Sequence, residues 1–216
     1  MIENERIGLY IHSLDQELSE TLQFIEKEAL ADEVPIIKKS TQGLLRFLVK
    51  LKKPQRILEV GCAVGFSAVL MSEAMTDNGH ITTIEKVPQR IKKAKENFEF
   101  SNTTDKITLL EGDATDILKE LVQTNQHYDM IFMDAAKGQY LHFFDDVLQL
   151  LEKDGLLISD NVLQNGDIIQ SRYAIKKRNR TIHSRMRDYL YLLTHHDALD
   201  TIILPMGDGV TLSTKI

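Results

Sequence analysis

The sequence predicts an α/β protein whose sheet is mostly parallel and ends in a β-hairpin. From residue 56 onward, short apolar runs typical of buried strands alternate with segments whose apolar residues have helical spacing. Such alternation is typical of strand–helix–strand units, which place helices on both faces of a parallel sheet. Near the end of the chain, residues 201–206 and 210–214 flank a Gly-Asp-Gly turn at 207–209, a pattern typical of a hairpin.

Composition and charge narrow the class of protein. With 216 residues and 43% hydrophobic content, the chain is expected to form one domain, 1–216, with N-terminal helices over 1–52 and a core over 53–216. A net charge of -6 argues against a protein coated in basic surface. The single cysteine, Cys62, allows no internal disulfide and is expected to be a small packing residue.

The sequence also predicts where the protein is located. It contains no apolar run long enough to span a bilayer. Residues 1–6 alternate charges and no apolar core follows them, so we expect no signal peptide. A reducing, cytoplasmic setting follows from these two expectations and from the lone cysteine.

The first 34 residues are acidic and amphipathic. They carry nine acids and two bases, and their apolar residues are three or four positions apart. The apolar positions are Ile7, Ile11, Leu14, Leu18, Leu22, Ile25 and Ala29. We expect one or two helices that act as a lid or packing element, with a dimer contact as a second role. After an extended break at 34–37, Ser40 or Thr41 is expected to cap the next helix.

Five strands are predicted before the hairpin, and their ends are where ligands are expected. The predicted strands are 56–60, 80–85, 107–112, 129–134 and 155–160. Open parallel sheets bind ligands beyond the carboxyl ends of their strands. Acids stand at all five of these ends, and an amide follows the last one. These residues are Glu59, Glu85, Asp113, Asp134 and Asp160, followed by Asn161.

The loop after the first predicted strand contains an acid and two glycines in the spacing Glu59-x-Gly61-x-x-x-Gly65. Glycines let the chain bend and let a ligand approach the main chain, while the helix predicted over 67–75 offers free N–H groups. A dinucleotide site requires Gly-x-Gly-x-x-Gly, but Ala63 and Phe66 stand where its second and third glycines belong. A nicotinamide cofactor is therefore disfavoured.

Two further acids suit a nucleoside-containing ligand. Glu85 lies twenty residues after Gly65 at the tip of the second strand, where a carboxylate accepts hydrogen bonds from ribose hydroxyls. Asp113 fits an adenine or ribose contact, with the main-chain N–H of Ala114 beside it. A helix cap is an equally good interpretation of Asp113.

Asp134, Asp160 and Asn161 form a candidate metal site. If the fourth and fifth strands are neighbours, their tips bring together two carboxylates and one amide oxygen. Such hard oxygen ligands suit Mg²⁺, which keeps positions for water or substrate. Lys137 lies three residues after Asp134, and beside a metal and a positive cofactor it can act as a base. Without Asp134 nearby, a surface lysine would be the default interpretation.

These motifs resemble a known family. The glycine loop resembles motif I of the class I S-adenosylmethionine-dependent methyltransferases, whose seven-stranded, Rossmann-like sheet ends in a hairpin. Residues 134–140 (Asp-Ala-Ala-Lys-Gly-Gln-Tyr) with Asp160-Asn161 resemble the cation-dependent O-methyltransferases of the catechol and caffeoyl-CoA type. Within that group the chain is most similar to the bacterial tRNA 5-hydroxyuridine methyltransferases, which make 5-methoxyuridine at the wobble position.

The resemblance implies roles for particular residues and a homodimer. Asp134, Asp160 and Asn161 would be metal ligands, and Lys137 would be catalytic together with Asp134. The glycine loop, Glu59 to Gly65, would lie against the methionine part of the cofactor. The other implied S-adenosylmethionine contacts are Ile37, Ser67, Glu85, Asp113 and Asp134.

One segment favours a nucleic-acid substrate. Residues 168–187 carry seven cations and no acid, although the whole chain has a net charge of -6. Such a one-sided run is a candidate phosphate-binding surface, and it follows the predicted metal loop. The residues proposed to bind tRNA are Lys176, Lys177, Arg178 and Arg180. The alternative is a solvated helix face. His183, His195 and His196 are expected to be surface or capping residues.

The predicted reaction is in-line methyl transfer from a sulfonium to a metal-activated hydroxyl, as in 5-hydroxyuridine with its adjacent oxygens. Three alternatives remain. A small-molecule catechol-type methyltransferase differs only in its acceptor. A nicotinamide oxidoreductase would bind NAD instead. A non-catalytic RNA-binding protein would leave the acids at the strand ends unexplained.

Overall fold

The computed structural model describes residues 5–216. Residues 1–4, on which the expected absence of a signal peptide partly rests, lie outside the described residues. The described part forms seven strands and eight α-helices. The strands are β1 (Arg56–Val60), β2 (His80–Glu85), β3 (Ile107–Glu111), β4 (Tyr128–Met133), β5 (Leu151–Ser159), β6 (Leu199–Leu204) and β7 (Val210–Lys215). The helices are α1 (Glu5–His12), α2 (Glu20–Ala31), α3 (Lys39–Lys52), α4 (Phe66–Ala74), α5 (Pro88–Phe100), α6 (Ala114–Gln123), α7 (Tyr140–Leu150) and α8 (Arg180–His195).

All seven strands form one sheet in the order β3-β2-β1-β4-β5-β7-β6. Strands β1 to β5 pair in parallel, whereas β7 pairs antiparallel with both β5 and β6. The predicted class, a mostly parallel seven-stranded sheet with a terminal hairpin, is confirmed. Because β2 and β4 both border β1, the order reverses at β1, which opens a crevice at the carboxyl edge of the sheet.

Apolar residues cover both faces of the sheet. Successive residues of a strand point to opposite faces, and in β1 Ile57 packs in one cluster while Leu58 packs in the other. The first cluster includes residues of α2, α3 and α4, and the second includes residues of α6, α7 and α8. Burial on both faces explains why every residue of β1 after Arg56 is buried rather than every second one.

Some element boundaries differ from the predicted ones. Strands β3, β4 and β5 end one residue earlier than predicted, so their acids stand just beyond the ladder. Strand β5 begins at Leu151 rather than 155, with a register irregularity opposite Tyr128 and Met130. The predicted cap of α3 at Ser40 or Thr41 was wrong. The helix begins at Lys39, and Lys38 occupies the cap position without a side-chain hydrogen bond.

The N-terminal segment divides into two helices with different environments. Leu22, Ile25 and Ala29 of α2 are buried, and the helix packs against α4, as expected of a packing helix. In α1 the predicted apolar positions Ile7 and Ile11 are 56% and 53% exposed, so a packing role within the chain is wrong for this helix. Across residues 5–216, no helix has the length and apolar character needed to cross a membrane.

Candidate functional site

A cavity of about 610 Å³ opens at the carboxyl edge of the sheet. It lies at the reversal of strand order, where open parallel sheets bind their ligands. Residues that follow β1, β2, β3, β4 and β5 line it, together with residues 35–38 and Asp208. The topology therefore brings the five predicted strand-end positions to one edge of the sheet.

Two glycines shape the loop between β1 and α4. Gly61 has φ +109°, and a Cβ placed there would lie 2.1 Å from the carbonyl oxygen of Asp134. Gly65 has φ +85°, and its Cβ would lie 2.5 Å from Cε1 of Phe98. Both positions therefore require glycine, because of backbone conformation and because of space. The first glycine also lets the β1 loop approach the segment that carries Asp134.

Glu59 is fully buried beneath this loop and does not line the cavity. Its Oε1 accepts a hydrogen bond from Ser67 Oγ at 2.5 Å, and its Oε2 accepts one from Thr83 Oγ1. Burial raises the pKa of the Glu59 carboxyl to about 7, although the two hydroxyl donors oppose the shift. The carboxyl group thus connects β1, β2 and the start of α4 under the site.

Glu85 reaches the cavity with its carboxylate already oriented by main chain. Its Oε2 accepts from the N–H of Ala63, and its Oε1 accepts from the N–H groups of Lys86 and Val87, all at 2.9 Å. A carboxylate has about four lone-pair sites, so capacity remains for a ligand hydroxyl. This geometry is compatible with the predicted ribose contact.

Asp113 combines the two interpretations that its sequence left open. It caps α6 by accepting a hydrogen bond from the N–H of Thr115 at 2.9 Å, and it also lines the cavity. Hydrogen bonds from Thr115 and from Lys86, whose Nζ is 3.0 Å away, lower the pKa of Asp113 to about 2. The side chain is therefore held ionised at the mouth of the cavity.

Asp134, Asp160 and Asn161 meet at the ends of β4 and β5. The Asn161 Nδ2 donates to Asp134 Oδ1 at 3.0 Å, and the N–H of Asn161 donates to Asp160 Oδ1 at 2.8 Å. Burial raises the pKa of Asp134 to about 6. Burial, and secondarily the charge of Asp134, raise the pKa of Asp160 to about 7. For both carboxyls burial is the largest cause of the raised pKa, and the charge of nearby Lys137 offsets only part of it.

This donor set fits a divalent cation. Two carboxyl groups and an amide are the oxygen donors that Mg²⁺ accepts, and a cation between the two acids would favour their charged forms, which burial disfavours. Turning the Asn161 amide by half a rotation presents its oxygen instead of its nitrogen. Within residues 5–216, no group of three or more His, Cys, Asp or Glu side chains could hold a metal ion.

Tyr140 supports this pair of strand ends from below. Its buried hydroxyl lies 3.1 Å from the carbonyl oxygens of both Met133 and Asp160, so it can donate to either. Its ring packs edge-on against Tyr189, whose hydroxyl is 2.7 Å from Ser159 Oγ. The tyrosines connect β4, β5, α7 and α8 beneath the two acids.

Lys137 lies in a short 3₁₀ turn, Lys137–Gln139, and lines the cavity. Its positive charge lowers the pKa of Asp134 and, more weakly, that of Asp160. The Nη1 of Arg185 donates to the carbonyl oxygen of Gly138 at 2.9 Å, which fixes the turn against α8. A lysine in this position can donate to, or accept a proton from, an oxygen bound near the two acids.

Asp208 is a cavity residue that the sequence reasoning missed. It pairs with Lys38 Nζ at 2.6 Å, and its negative charge contributes to the raised pKa of Asp134 and of Asp160. The signal was present as the acid of the 207–209 turn. It was interpreted only as a hairpin residue, because the antiparallel pairing of β7 beside β5 could not be known from local pattern.

Most of the predicted cofactor, metal and catalytic residues line the cavity. Two of the predicted cofactor residues, Glu59 and Gly65, lie behind it instead. The predicted residues that do line it are Ile37, Gly61, Ser67, Glu85, Asp113, Ala114, Asp134, Lys137, Asp160 and Asn161. The binding roles of these residues stay predictions. Cys62 is buried and forms no disulfide, as expected of a packing residue.

The basic segment, residues 168–187, does not line this cavity. Lys176, Lys177 and Arg178 are exposed, whereas Arg180 donates to the carbonyl oxygens of Ile175 and Tyr173 and so stabilises the local turn. The expectation that His183 is a surface or capping residue was wrong. Its side chain is only 2% exposed, because it faces inward from α8.

Known proteins share this fold and sequence pattern. A family model described as O-methyltransferase matches residues 11–216. A catechol O-methyltransferase of Niastella koreensis is 29% identical over 216 residues, covering 93% of this chain and 96% of its own length. The caffeoyl-CoA O-methyltransferase 1 of Eucalyptus globulus is 28% identical, with coverage of 80% and 71%.

Solved structures agree with these relatives. A crystal structure of a Staphylococcus aureus chain superposes with a TM-score of 0.86 at 30% identity, covering 98% of each chain. The SAH-bound methyltransferase PaMTH1 of Podospora anserina superposes with a TM-score of 0.87 at 26% identity, covering 98% of this chain and 94% of its own.

Proposed function

This chain belongs to the O-methyltransferase family, and we propose that it transfers the methyl group of S-adenosylmethionine to a hydroxyl that has a second oxygen beside it. It is a methyltransferase of the catechol and caffeoyl-CoA type. The single observation that carries the finer proposal is the meeting of Asp134, Asp160 and Asn161 beside Lys137 in the large cavity.

The residues of the cavity divide the work between two ligands. Glu85 and Asp113 would hold the nucleoside part of S-adenosylmethionine, and the Gly61 loop would lie along its methionine part. Asp134, Asp160 and Asn161 would hold Mg²⁺ or another divalent cation. Such a cation lowers the pKa of a nearby hydroxyl, so that its oxyanion is available near neutral pH.

Lys137 would assist proton transfer, and the residues packed beneath the site would keep the reactants aligned. The lysine would take the proton of the acceptor hydroxyl or stabilise the oxyanion with its positive charge. The Tyr140 hydroxyl and the close approach of Gly61 to the main chain of Asp134 hold the strand ends that carry the acids. The acceptor and the methyl donor are thereby kept in line. Alignment of this kind accounts for a large share of the rate in transfer reactions.

A small molecule with adjacent hydroxyls is the acceptor that the comparisons favour. The named relatives are a catechol O-methyltransferase and a caffeoyl-CoA O-methyltransferase. Each catechol ring presents two neighbouring oxygens, which suits a site that holds one cation between two carboxyls and an amide. This acceptor requires no contribution from the basic segment.

A second acceptor, 5-hydroxyuridine at the wobble position of tRNA, is favoured by the basic segment. Its oxygens at C4 and C5 are adjacent in the same manner, and the product would be 5-methoxyuridine. Arg185 of that segment contacts the turn that carries Lys137, so the segment borders the site. Exposed Lys176, Lys177 and Arg178 would then contact phosphates of the RNA.

One experiment distinguishes the two acceptors. Methyl transfer to a catechol and to tRNA bearing 5-hydroxyuridine is measured at low and high salt. The proteins are the wild type, a triple variant with Lys176, Lys177 and Arg178 replaced by Ala, and a control with exposed Lys50, Lys119 and Lys153 replaced by Ala. Arg180 is left unchanged because it stabilises its own turn.

If tRNA is the acceptor, the first triple variant weakens tRNA binding and flattens its salt dependence, whereas the control triple and the catechol reaction change little. Equal tRNA modification by all three proteins would show that the basic segment does not bind tRNA. Brisk catechol methylation with no reaction on tRNA would assign the small-molecule acceptor.

A further inference from the structure

A second cavity of about 370 Å³ lies outside the methyl-transfer site, between the segment before α8 and the first two turns of that helix. It is called here the His183 pocket. The residues that give it its chemistry are Ser171, Arg172, His183, Ser184, Arg187 and Asp188. None of them lines the large cavity.

His183 is the unusual member of this pocket. Its side chain is 2% exposed, and neither ring nitrogen has a hydrogen-bond partner within the described chain. A neutral imidazole has one N–H donor and one acceptor, so at least one buried donor is unsatisfied. Such a group costs about 1–3 kcal/mol, which an acceptor supplied by a ligand would recover.

The surrounding groups favour an anion over a cation. Two guanidinium groups and one carboxylate give the pocket a net positive charge even when His183 is neutral. Arg187 already donates through Nη1 to the carbonyl oxygen of Ile168 at 2.9 Å, which holds the wall of the pocket. Arg172 is exposed and forms no ion pair within residues 5–216. Its guanidinium, the imidazole and the two serine hydroxyls are the donors that proteins use for phosphate groups.

The pocket lies close to the methyl-transfer site through one helix. Arg185 contacts the turn of Lys137, and Ser184 and Arg187 on the same helical turn line the pocket. A helix with its side chains is about 10–12 Å across. At about 3.4 Å of rise per nucleotide, three nucleotides of one strand cover this width.

We propose that the His183 pocket binds a backbone phosphate of a polynucleotide acceptor, a few nucleotides from the base that enters the large cavity. The choice of ligand rests on the tRNA acceptor of the proposed function. The pocket itself rests on its own residues, so binding there is measurable without methyl transfer.

The first test follows the His183 imidazole by NMR in the whole chain while inorganic phosphate is added. Bound phosphate is expected to shift the ring resonances of His183 in a saturable way, because the imidazole N–H then donates to a phosphate oxygen. Arg172→Gln weakens phosphate affinity about tenfold, since it removes one charge-assisted contact. Lys119→Gln, which removes a positive charge from an exposed position of α6, leaves that affinity unchanged. The proposal is overturned if the His183 signal does not change on addition of phosphate, or if both variants lose phosphate affinity equally.

The second test identifies the source of the phosphate. A single-stranded RNA oligonucleotide is expected to compete with inorganic phosphate for His183, whereas the same sequence with an uncharged methylphosphonate backbone is not. Competition by both oligonucleotides, or by neither, overturns the polynucleotide assignment. Failure of the proposed function is a separate outcome, because it appears as an absence of methyl transfer while the His183 signal still responds to phosphate.

Discussion

At the scale of single residues, the site depends on carboxyl groups whose charge is disfavoured by burial. Glu59 and Asp160 both have pKa values raised to about 7, and that of Asp134 is raised to about 6. Asp134 and Asp160 face the cavity, where a cation would favour their charged forms. Glu59 lies behind it and depends on two hydroxyl donors alone. The three acids therefore have similar shifts but different ways of being stabilised.

Glu59 gives a prediction for stability against pH. Because its folded pKa is about 7 against an ordinary value of 4.5, the folded state binds the extra proton between those values. Its contribution to the free energy of unfolding is fully present below pH 4.5 and is lost as pH rises through 7. The loss is on the order of 3 kcal/mol. Glu59→Gln should abolish this loss of stability at higher pH, because an amide does not titrate.

Chemical denaturation below pH 4.5 and above pH 7 measures this effect. The variant should gain stability relative to wild type only at the higher pH. One of the hydroxyls of Ser67 and Thr83 can donate to the amide oxygen and the other can accept from the amide nitrogen, so folding should be retained. An identical difference between the two proteins at both pH values would show that Glu59 does not titrate as described.

Lys137 gives a prediction for catalysis. Lys137→Ala should lower kcat by about 10²–10⁴-fold, the usual contribution of a positioned acid or base. The Kd for S-adenosylmethionine should change little, because the role is exerted in the transition state. Lys153→Ala, at an exposed position in β5, is the matched control. Near-normal turnover of the first variant across the pH range would reduce Lys137 to a surface residue.

At the scale of elements, the glycine loop joins β1 to the strand end that carries Asp134. Gly61→Ala should destabilise the fold by more than about 3 kcal/mol, since it combines a positive φ with a clash against main chain. Gly43→Ala, in the middle of α3 with nothing within 4 Å, should instead stabilise by about 0.5–1 kcal/mol. Thermal or denaturant unfolding measures the change in the free energy of unfolding for each variant. Similar small effects would mean that the loop tolerates a Cβ.

Elements also show what sequence reasoning can reach. The parallel strands and the acids after them are local patterns, so β1 to β5 and the candidates Glu85, Asp134 and Asp160 were predictable. The role of Asp208 was missed because its partner Lys38 and the pairing of β7 with β5 join parts of the chain that are far apart in sequence. The burial of His183 was missed because packing of α8 against α7 and β6 decides which face of the helix turns inward. The cap of α3 was also missed, since the helix begins at Lys39 without a side-chain cap.

At the scale of the whole molecule, α1 presents apolar side chains that the rest of the described chain does not cover. Ile7 and Ile11 are more than half exposed, and Leu14 follows them on the chain. The family resemblance implies a homodimer, and we expect a second copy to cover this face of α1. Asp at both Ile7 and Ile11 should therefore shift the protein towards monomer in sedimentation equilibrium.

The control for the dimer prediction is Ile202→Asp on β6, where the wild-type residue has the same 56% exposure as Ile7. It should leave the association unchanged. A monomeric wild type, or equal dissociation by both changes, would contradict a dimer formed through α1.

The most direct test of a catalytic cation measures methyl transfer and S-adenosylmethionine binding on the same samples, with and without a chelator. Chelation should abolish transfer, added Mg²⁺ should restore it, and cofactor binding should persist throughout. Asp160→Asn should behave like chelated wild type, whereas Asp145→Asn, at an exposed position of α7, should remain active. Full transfer in excess chelator, or full activity of Asp160→Asn, would contradict a cation held by Asp134, Asp160 and Asn161.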